Sequence, residues 1–287
     1  MWVSESYAKI NLGLHVLEKL PTGYHSIEAG FCFIEWSDRF EVQQSEAFNL
    51  TMSDPAIPVD EKNLITKAYT AFETYVGLKN HYSFNVKKLI PAGAGLGGGS
   101  SNAALTLRIL NKLEKTGLSD DDLIDLSRSL GADIAFFIKG EPGVGRGLGQ
   151  DIEPLAIQPS HWILTLYPNF ESSTAEAYGA VIPNPDPEVS IKDVLLNDPV
   201  ETWPSLLVND LEPPVISRNE LIGNLKDALY EFGAQYACMS GSGSSVFGLF
   251  DQDFVAINAY ESFHKLGFLT NLTRPDFEPD MGIYLKE

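Results

Sequence analysis

A run of small residues at positions 91–101 has the composition best suited to binding a charged ligand. It reads Pro91-Ala92-Gly93-Ala94-Gly95-Leu96-Gly97-Gly98-Gly99-Ser100-Ser101. Few side chains cover the backbone N–H groups of such a run, and the helical pattern that follows it adds partial positive charge. Exposed N–H groups at the start of a helix bind phosphate. The run therefore predicts a phosphate-binding loop between a strand and a helix.

Several phosphate-binding motifs contain glycine, and their spacing separates them. A P-loop requires the pattern G-x-x-x-x-G-K-[ST], and no lysine stands at that spacing. The dinucleotide pattern G-x-G-x-x-G is present at Gly93, Gly95 and Gly98. However, the acidic residue about 20 positions later, Glu114, falls within a predicted helix instead of at a strand end. Protein-kinase motifs and the G-x-S-x-G elbow of hydrolases are absent, so dinucleotide binding is the weaker alternative.

Two charged residues in apolar surroundings are candidates for reactive groups. Lys9 lies between Ala8 and Ile10, and such a lysine is more typical of a buried residue with a carboxylate partner than of an exposed one. Asp133 follows two small residues at a predicted helix start, and the residues alone favour a helix N-cap for it.

Length and charge exclude several classes of protein. The chain has 287 residues and a net charge of −19, which fits two domains and argues against binding to nucleic acid or an anionic membrane. We expect Cys32 and Cys238 to be buried thiols in a cytoplasmic protein. No signal peptide or membrane span is expected, and the spacing of the histidines and cysteines predicts no metal site.

Hydrophobic periodicity predicts the elements that position these residues. Strands are expected at 31–43, 82–88, 162–166, 236–239, 246–250 and 282–285, and helices at 63–76, 101–115, 219–232 and 253–265. Another helix opens at Ser119, with Asp122 at capping-box distance. Residues 140–155 are expected to form a turn or hinge. Residues 183–214 are rich in Pro, Asp and Asn and are expected to form only short helical pieces. The mixture predicts an α+β fold with domains 1–155 and 156–287.

Motifs along nearly the whole chain resemble those of the GHMP small-molecule kinases. Besides the glycine run, they lie at residues 7–14, 130–137, 143–155, 172–178 and 239–244. The resemblance implies an N-terminal ribosomal-protein-S5-domain-2-like domain, a C-terminal ferredoxin-like α/β sandwich and an active site in the cleft between them. Two residues depart from the family pattern: Asn102 stands where many relatives carry Asp, and Ala135 where proline is usual.

The resemblance also implies a reaction and roles for its residues. GHMP kinases transfer the γ-phosphoryl group of ATP to a substrate hydroxyl, with Mg²⁺ carried by the nucleotide. Asp133 is then the expected base and Lys9 its partner. The run 91–101 is expected to hold the phosphates, with the serine hydroxyls at its end binding phosphate or the ligand sphere of Mg²⁺, or capping the helix. Asn63 and Lys88 are expected on the adenine side, although Lys88 also fits a solvated strand residue.

A narrower signature, Gly23-Tyr24-His25 followed by Glu28 and Phe31, resembles one branch of the family, whose substrate carries cytidine diphosphate. Tyr24 and Tyr178 are then expected to sandwich the cytosine and His25 to read its edge. Asn11 and Thr174 are further expected substrate contacts, and the chain is expected to be a monomer or weak homodimer.

Two alternatives stay open. The chain could be a GHMP kinase for mevalonate, homoserine or a sugar, or a GHMP-fold protein that binds a ligand without catalysis.

Overall fold

Two β-sheets form the framework of the molecule. The structure, a computed structural model, describes residues 1–286. The first sheet contains β1 (Trp2–Lys19), β2 (His25–Ser45), β3 (Asn49–Met52), β4 (His81–Lys87), β5 (Gly143–Gly147), β6 (Asp151–Pro154) and β11 (Tyr284–Leu285). The second contains β7 (Trp162–Tyr167), β8 (Tyr236–Met239), β9 (Val246–Phe250) and β10 (Leu269–Thr273).

The strand orders are β11-β1-β2-β4-β3, with β5 pairing with β2 and β6 with β5, and β10-β7-β9-β8. All pairs are antiparallel except β3 with β4. The expected domain boundary near residue 155 falls between the end of β6 and the start of β7, although β11 returns the chain to the first sheet. The boundary itself stays a prediction.

Helices cover both sheets. They are α1 (Leu64–Val76), α2 (Gly98–Glu114), α3 (Asp120–Ser127), α4 (Ile134–Lys139), α5 (Thr174–Ala180), α6 (Ile191–Asn197), α7 (Trp203–Leu206), α8 (Glu212–Ile216), α9 (Leu221–Glu231) and α10 (Asp253–Lys265). Helices α1 to α4 pack with one another and α2 packs on β1, whereas α9 and α10 pack on the second sheet. Among residues 1–286, no helix is long and apolar enough to cross a membrane.

Most predicted elements are present, and the expected capping box at Ser119 and Asp122 is formed in both directions. The expectation of a turn or hinge at 140–155 is wrong, because these residues form the β5–β6 hairpin. Its glycines allow close packing: a Cβ on Gly145 would collide with the ring of Phe31, and one on Gly143 with a backbone carbonyl. Helix α2 also begins earlier than expected, at Gly98.

The segment 183–214 forms short helices, as expected, and residues outside them pair with β1. Backbone hydrogen bonds join Leu14 to Val208 and Asp210, and Asn184 to Val16. The Asp210 carboxylate also accepts a hydrogen bond from the N–H of Val16. The segment therefore fixes the strand that carries Lys9.

An aromatic cluster holds α4 against β2. The rings of Phe33 and Phe136 stack with their centroids 4.5 Å apart, and Phe31 and Phe137 complete the cluster. All four rings are buried. Because α4 begins immediately after Asp133, this packing sets the position of that carboxylate. The expectation of buried, unpaired thiols at Cys32 and Cys238 is confirmed.

Candidate active site

Lys9, Asn11 and Asp133 form a polar group at the floor of a cleft. Lys9 and Asn11 point to the same side of β1 because they are two residues apart on a strand. The Lys9 ammonium donates to Asn11 Oδ1 at 2.6 Å and lies 3.3 Å from Asp133 Oδ2. Lys9 is 3% exposed, and its Nζ lies 5.2 Å from the centroid of the Phe31 ring. The sequence prediction that Lys9 is buried with a carboxylate partner is therefore confirmed.

The Asp133 side chain does not cap a helix. It forms no cap hydrogen bond to α4, so the interpretation that the residues alone favoured is wrong. The carboxylate instead faces the Lys9 ammonium, and about a third of its side chain is exposed. A carboxylate in this setting has one face on a fixed cation and another open to a ligand.

The glycine loop uses its carbonyl groups within the protein. The carbonyls of Ala94, Gly95 and Leu96 accept hydrogen bonds from the Ser245 N–H, the Ser240 hydroxyl and the Lys9 N–H. In contrast, within the described part of the chain no N–H group of residues 92–100 donates a hydrogen bond. These donors precede and open α2, whose N-cap is Gly97. The loop therefore presents a set of free N–H donors at a helix N-terminus, as phosphate binding requires.

A second small-residue loop, residues 240–245, packs on the first. Gly95 has a φ of +76°, and a Cβ there would collide with the carbonyl of Ser240. Asn209 holds the second loop in place, because its side-chain amide donates to the carbonyls of Met239 and Gly241 at 2.8 Å each. The two glycine loops therefore touch at one fixed place.

Both loops and the polar group line one cavity of about 230 Å³. Its lining includes Lys9, Asn11, Asp133, Gly93, Gly95, Gly97, Thr174, Tyr178, Gly241, Ser242 and Gly243. The structure thus brings together the predicted catalytic pair, three of the five predicted substrate contacts and part of the glycine run. The hydroxyl of Thr174 is hydrogen-bonded to that of Ser242 at 2.8 Å.

A larger cavity of about 990 Å³ adjoins the first and contains the other predicted substrate residues. Tyr24 and His25 line it, and Thr174 and Tyr178 line both cavities. His25 stacks on Tyr178 with ring centroids 5.3 Å apart, whereas Tyr24 is 66% exposed. A base between the two tyrosines would therefore displace the imidazole or use the other face of Tyr178.

Burial at the larger cavity favours the neutral forms of His25 and Tyr178. Burial, followed by the nearby charge of Lys19, lowers the pKa of His25 below its ordinary value of 6.5. Burial and the charge of Asp133 raise the pKa of the Tyr178 hydroxyl. A neutral imidazole offers one donor and one acceptor, which suits the edge of a base.

Other predicted nucleotide residues lie apart from the cleft or point away from it. The amide of Asn63 caps α1 by accepting from the Ile65 N–H and donates to the Pro58 carbonyl. Ser101 is buried and hydrogen-bonded to the Ser6 hydroxyl at 2.6 Å. Neither serine at the loop end caps α2, which has no side-chain cap. The interpretation of Lys88 as a solvated residue is wrong, because its ammonium is buried against Asp38.

Sequence reasoning omitted the second loop from the site, although residues 239–244 carry one of the motifs that resemble those of the family. It also omitted Asn209, which lies in the segment 183–214. In the part of the chain that the structure describes, no three His, Cys, Asp or Glu side chains are grouped to hold a metal ion. Asp133 is the only acidic residue that lines the smaller cavity in this part of the chain.

Comparison with known proteins gives the class of the molecule. Residues 63–141 match the GHMP kinases N terminal domain, and residues 196–267 match the GHMP kinases C terminal domain. The chain belongs to the GHMP kinase family. Within it, the chain is 43% identical over 249 residues to the 4-diphosphocytidyl-2-C-methyl-D-erythritol kinase of Parabacteroides distasonis, covering 85% of this chain and 90% of that protein.

Other similar proteins belong to the same family. The kinase of the same name from Chlorobium phaeobacteroides is 37% identical over 279 residues, which is 95% of this chain and 97% of the relative. A crystal structure of 4-(cytidine 5'-diphospho)-2C-methyl-D-erythritol kinase superposes with a TM-score of 0.81 at 29% identity, covering 94% of this chain and 98% of that one. The mevalonate kinase of Methanococcus jannaschii, 16% identical with a TM-score of 0.68, covers 96% of this chain and 98% of its own and shares the fold.

Proposed function

We propose that the protein transfers the γ-phosphoryl group of ATP to the 2-hydroxyl of 4-diphosphocytidyl-2-C-methyl-D-erythritol. One observation carries the proposal. The N–H groups of residues 92–100 are free, and the loop that bears them lines the same cavity as Lys9 and Asp133. The names of the relatives and the adjoining aromatic cavity support the identity of the acceptor. The reaction belongs to the methylerythritol phosphate route to isoprenoid precursors.

The catalytic roles are assigned to the pair at the cleft floor. The Asp133 carboxylate accepts the proton of the substrate hydroxyl as the hydroxyl oxygen bonds to the γ-phosphorus of ATP. At the same time the bond between that phosphorus and the bridging oxygen of ADP breaks. The Lys9 ammonium, held by Asn11, stabilises the negative charge on the attacking oxygen and on the transferring group. The N–H groups of the glycine loop hold the phosphates in line.

Mg²⁺ enters this proposal as part of the nucleotide. Bound to the phosphates, the ion neutralises charge on them and on the leaving group. Asp133 is the carboxylate of this chain placed to approach the ion. Asn102 is not placed to do so, because its side chain faces away from the cleft. The predictions that the metal comes only with ATP, and that Asn63 contacts the adenine, stay predictions.

Substrate choice is assigned to the larger cavity. Tyr24 and Tyr178 supply faces for a ring, and the neutral His25 supplies hydrogen bonds to its edge. A ring with a different donor and acceptor pattern leaves these polar groups unpaired, which lowers kcat/KM. Mevalonate and homoserine contain no ring, so a kinase for those alcohols needs no cavity that binds a base.

Release of ADP in a coupled assay tests the proposal. We expect kcat/KM for the cytidine substrate to exceed that for its uridine analogue by about 100-fold or more. Tyr24→Ala should raise the KM for the cytidine substrate, whereas Tyr75→Ala, a matched change at another exposed tyrosine, should not. Turnover of mevalonate or homoserine at a comparable rate would favour the first alternative, and absence of ADP with every alcohol would favour a binding protein.

A further inference from the structure

A single buried carboxylate, that of Asp38, holds both ends of the glycine loop. Asp38 Oδ1 accepts from the N–H groups of Leu89 and Ile90 at 2.7 and 2.9 Å, directly before the loop. Asp38 Oδ2 accepts from Lys88 Nζ at 2.5 Å and from Asn102 Nδ2 at 2.9 Å. Asn102 lies directly after the loop in α2, and Asp38 itself is 0% exposed.

The side chains that donate to Asp38 have few other hydrogen-bond acceptors. The Lys88 ammonium donates to the Ile90 carbonyl at 2.7 Å, and its side chain is 7% exposed. Burial lowers the pKa of Lys88, and the charge of Asp38 opposes that shift. Asn102 also donates to the Ser6 hydroxyl at 3.0 Å. Without the carboxylate, the buried Lys88 ammonium would keep only a neutral acceptor, and two backbone N–H groups would lose theirs. The contact therefore strongly restrains the chain.

The two ends of a loop determine the direction of the N–H groups between them. The last contact before the loop is at Ile90 and the first after it is at Asn102, so the restraint spans residues 91–101. A Cβ on Gly98 would lie 3.0 Å from Lys88 Nζ, which places the ion pair directly beneath the start of α2.

We infer that Asp38, through Lys88 and Asn102, is the positioning residue that orients the N–H groups of the glycine loop toward the phosphates of ATP. The inference rests on the proposed function. It assigns Lys88 a place beneath the loop instead of a contact with adenine.

Binding measured by calorimetry with ADP and, separately, with the cytidine substrate tests the inference. Asp38→Asn keeps an acceptor for the two backbone N–H groups but turns an NH₂ group toward Lys88 and Asn102. We expect the Kd for ADP to rise about tenfold or more, and the Kd for the cytidine substrate to stay within about twofold. Asp121→Asn is the matched control, because Asp121 also pairs with a lysine, Lys139, but at the surface.

The exchange Asp38→Asn with Asn102→Asp keeps the number of charges and reverses the hydrogen bond between the two residues. This variant should fold and recover ADP binding to within about threefold of the wild type. A folded Asp38→Asn protein with normal ADP affinity would overturn the inference. So would an equal loss of both ligands, or a folded exchange variant whose ADP affinity stays reduced about tenfold. Failure of the wild type itself to bind ADP would instead overturn the proposed function.

Discussion

Replacement of Lys9 by methionine removes the charge from the cleft floor and leaves most of the side-chain volume in place. The stem of Lys9 packs beside Phe31 and Gly97, and methionine fits such a space. Because a third of the Asp133 side chain is exposed, water can solvate that carboxylate when its partner is gone. We therefore expect the variant to fold with a nearly unchanged Kd for ADP.

The expected loss of kcat can be estimated from the electrostatic interactions that the ammonium makes. Two unit charges 3.3 Å apart attract by about 5 kcal/mol at an effective dielectric constant of about 20, and the partial exposure of Asp133 reduces this. Loss of one group that stabilises charge in a transition state costs about 2.7–4 kcal/mol. We expect kcat to fall about 100- to 1000-fold in Lys9→Met.

Asp133→Asn should lower kcat by a comparable factor, but its stability should differ. It leaves the ammonium of Lys9, which is 3% exposed, with only neutral acceptors, so the melting temperature should fall more than in Lys9→Met.

The assay is steady-state ADP release by both single variants and the double variant, with ADP affinity measured alongside. Since the two side chains act on one proton and one oxygen, the losses in kcat should be strongly non-additive. A Lys9→Met protein with kcat within about fivefold of the wild type would refute the assigned role. Additive losses would show that the pair does not act as a unit.

Three further perturbations test other features of the structure. Because burial lowers the pKa of His25 below its ordinary value of 6.5, the imidazole is neutral above pH 6.5. The KM for the cytidine substrate should be flat in that range and rise as the pH falls through the lowered pKa. A profile that His25→Gln leaves unchanged would contradict this. Gly95→Ala should weaken ADP binding about tenfold or more, because its φ is +76° and its Cβ would collide with the second loop. Gly117→Ala, with a φ of +72° but no neighbour within 4 Å, should cost about 1 kcal/mol of stability and leave the Kd for ADP unchanged; equal losses of affinity would contradict the contact argument. Burial raises the pKa of the Cys32 and Cys238 thiols, so both should react with Ellman's reagent only after unfolding, and rapid reaction of the native protein would contradict their burial.

Local patterns predicted much of the fold and the centre of the site. The alternation at residues 82–88 predicted β4, and the glycine run predicted a phosphate loop, since both depend on neighbours in sequence. Lys9 was identified because an ammonium between apolar residues of a strand requires a buried partner. The partner itself, Asp133, came from the family resemblance, and its local sequence alone favoured a helix cap.

The remaining parts of the site depend on contacts between distant segments. Asp38 lies 64 residues before Asn102, and no local pattern shows that its carboxylate holds the loop ends. Asn209 lies 30 residues before Met239 in a segment rich in proline and aspartate. The hairpin at 143–154 was interpreted as a turn because glycine also marks turns, whereas here it admits the Phe31 ring.

The charges of the site explain how an acidic protein can hold a polyanion. The chain carries a net charge of −19, so nucleotide binding by a general positive field is excluded. The two buried lysines that touch the glycine loop, Lys9 and Lys88, each face a carboxylate, and neither pair adds net charge. Attraction for phosphate therefore comes from neutral N–H donors at the start of α2, whose strength depends on their orientation. The buried pair of Asp38 and Lys88 fixes that orientation at the two ends of the loop. Asp38, which contacts no phosphate, should therefore still control nucleotide affinity.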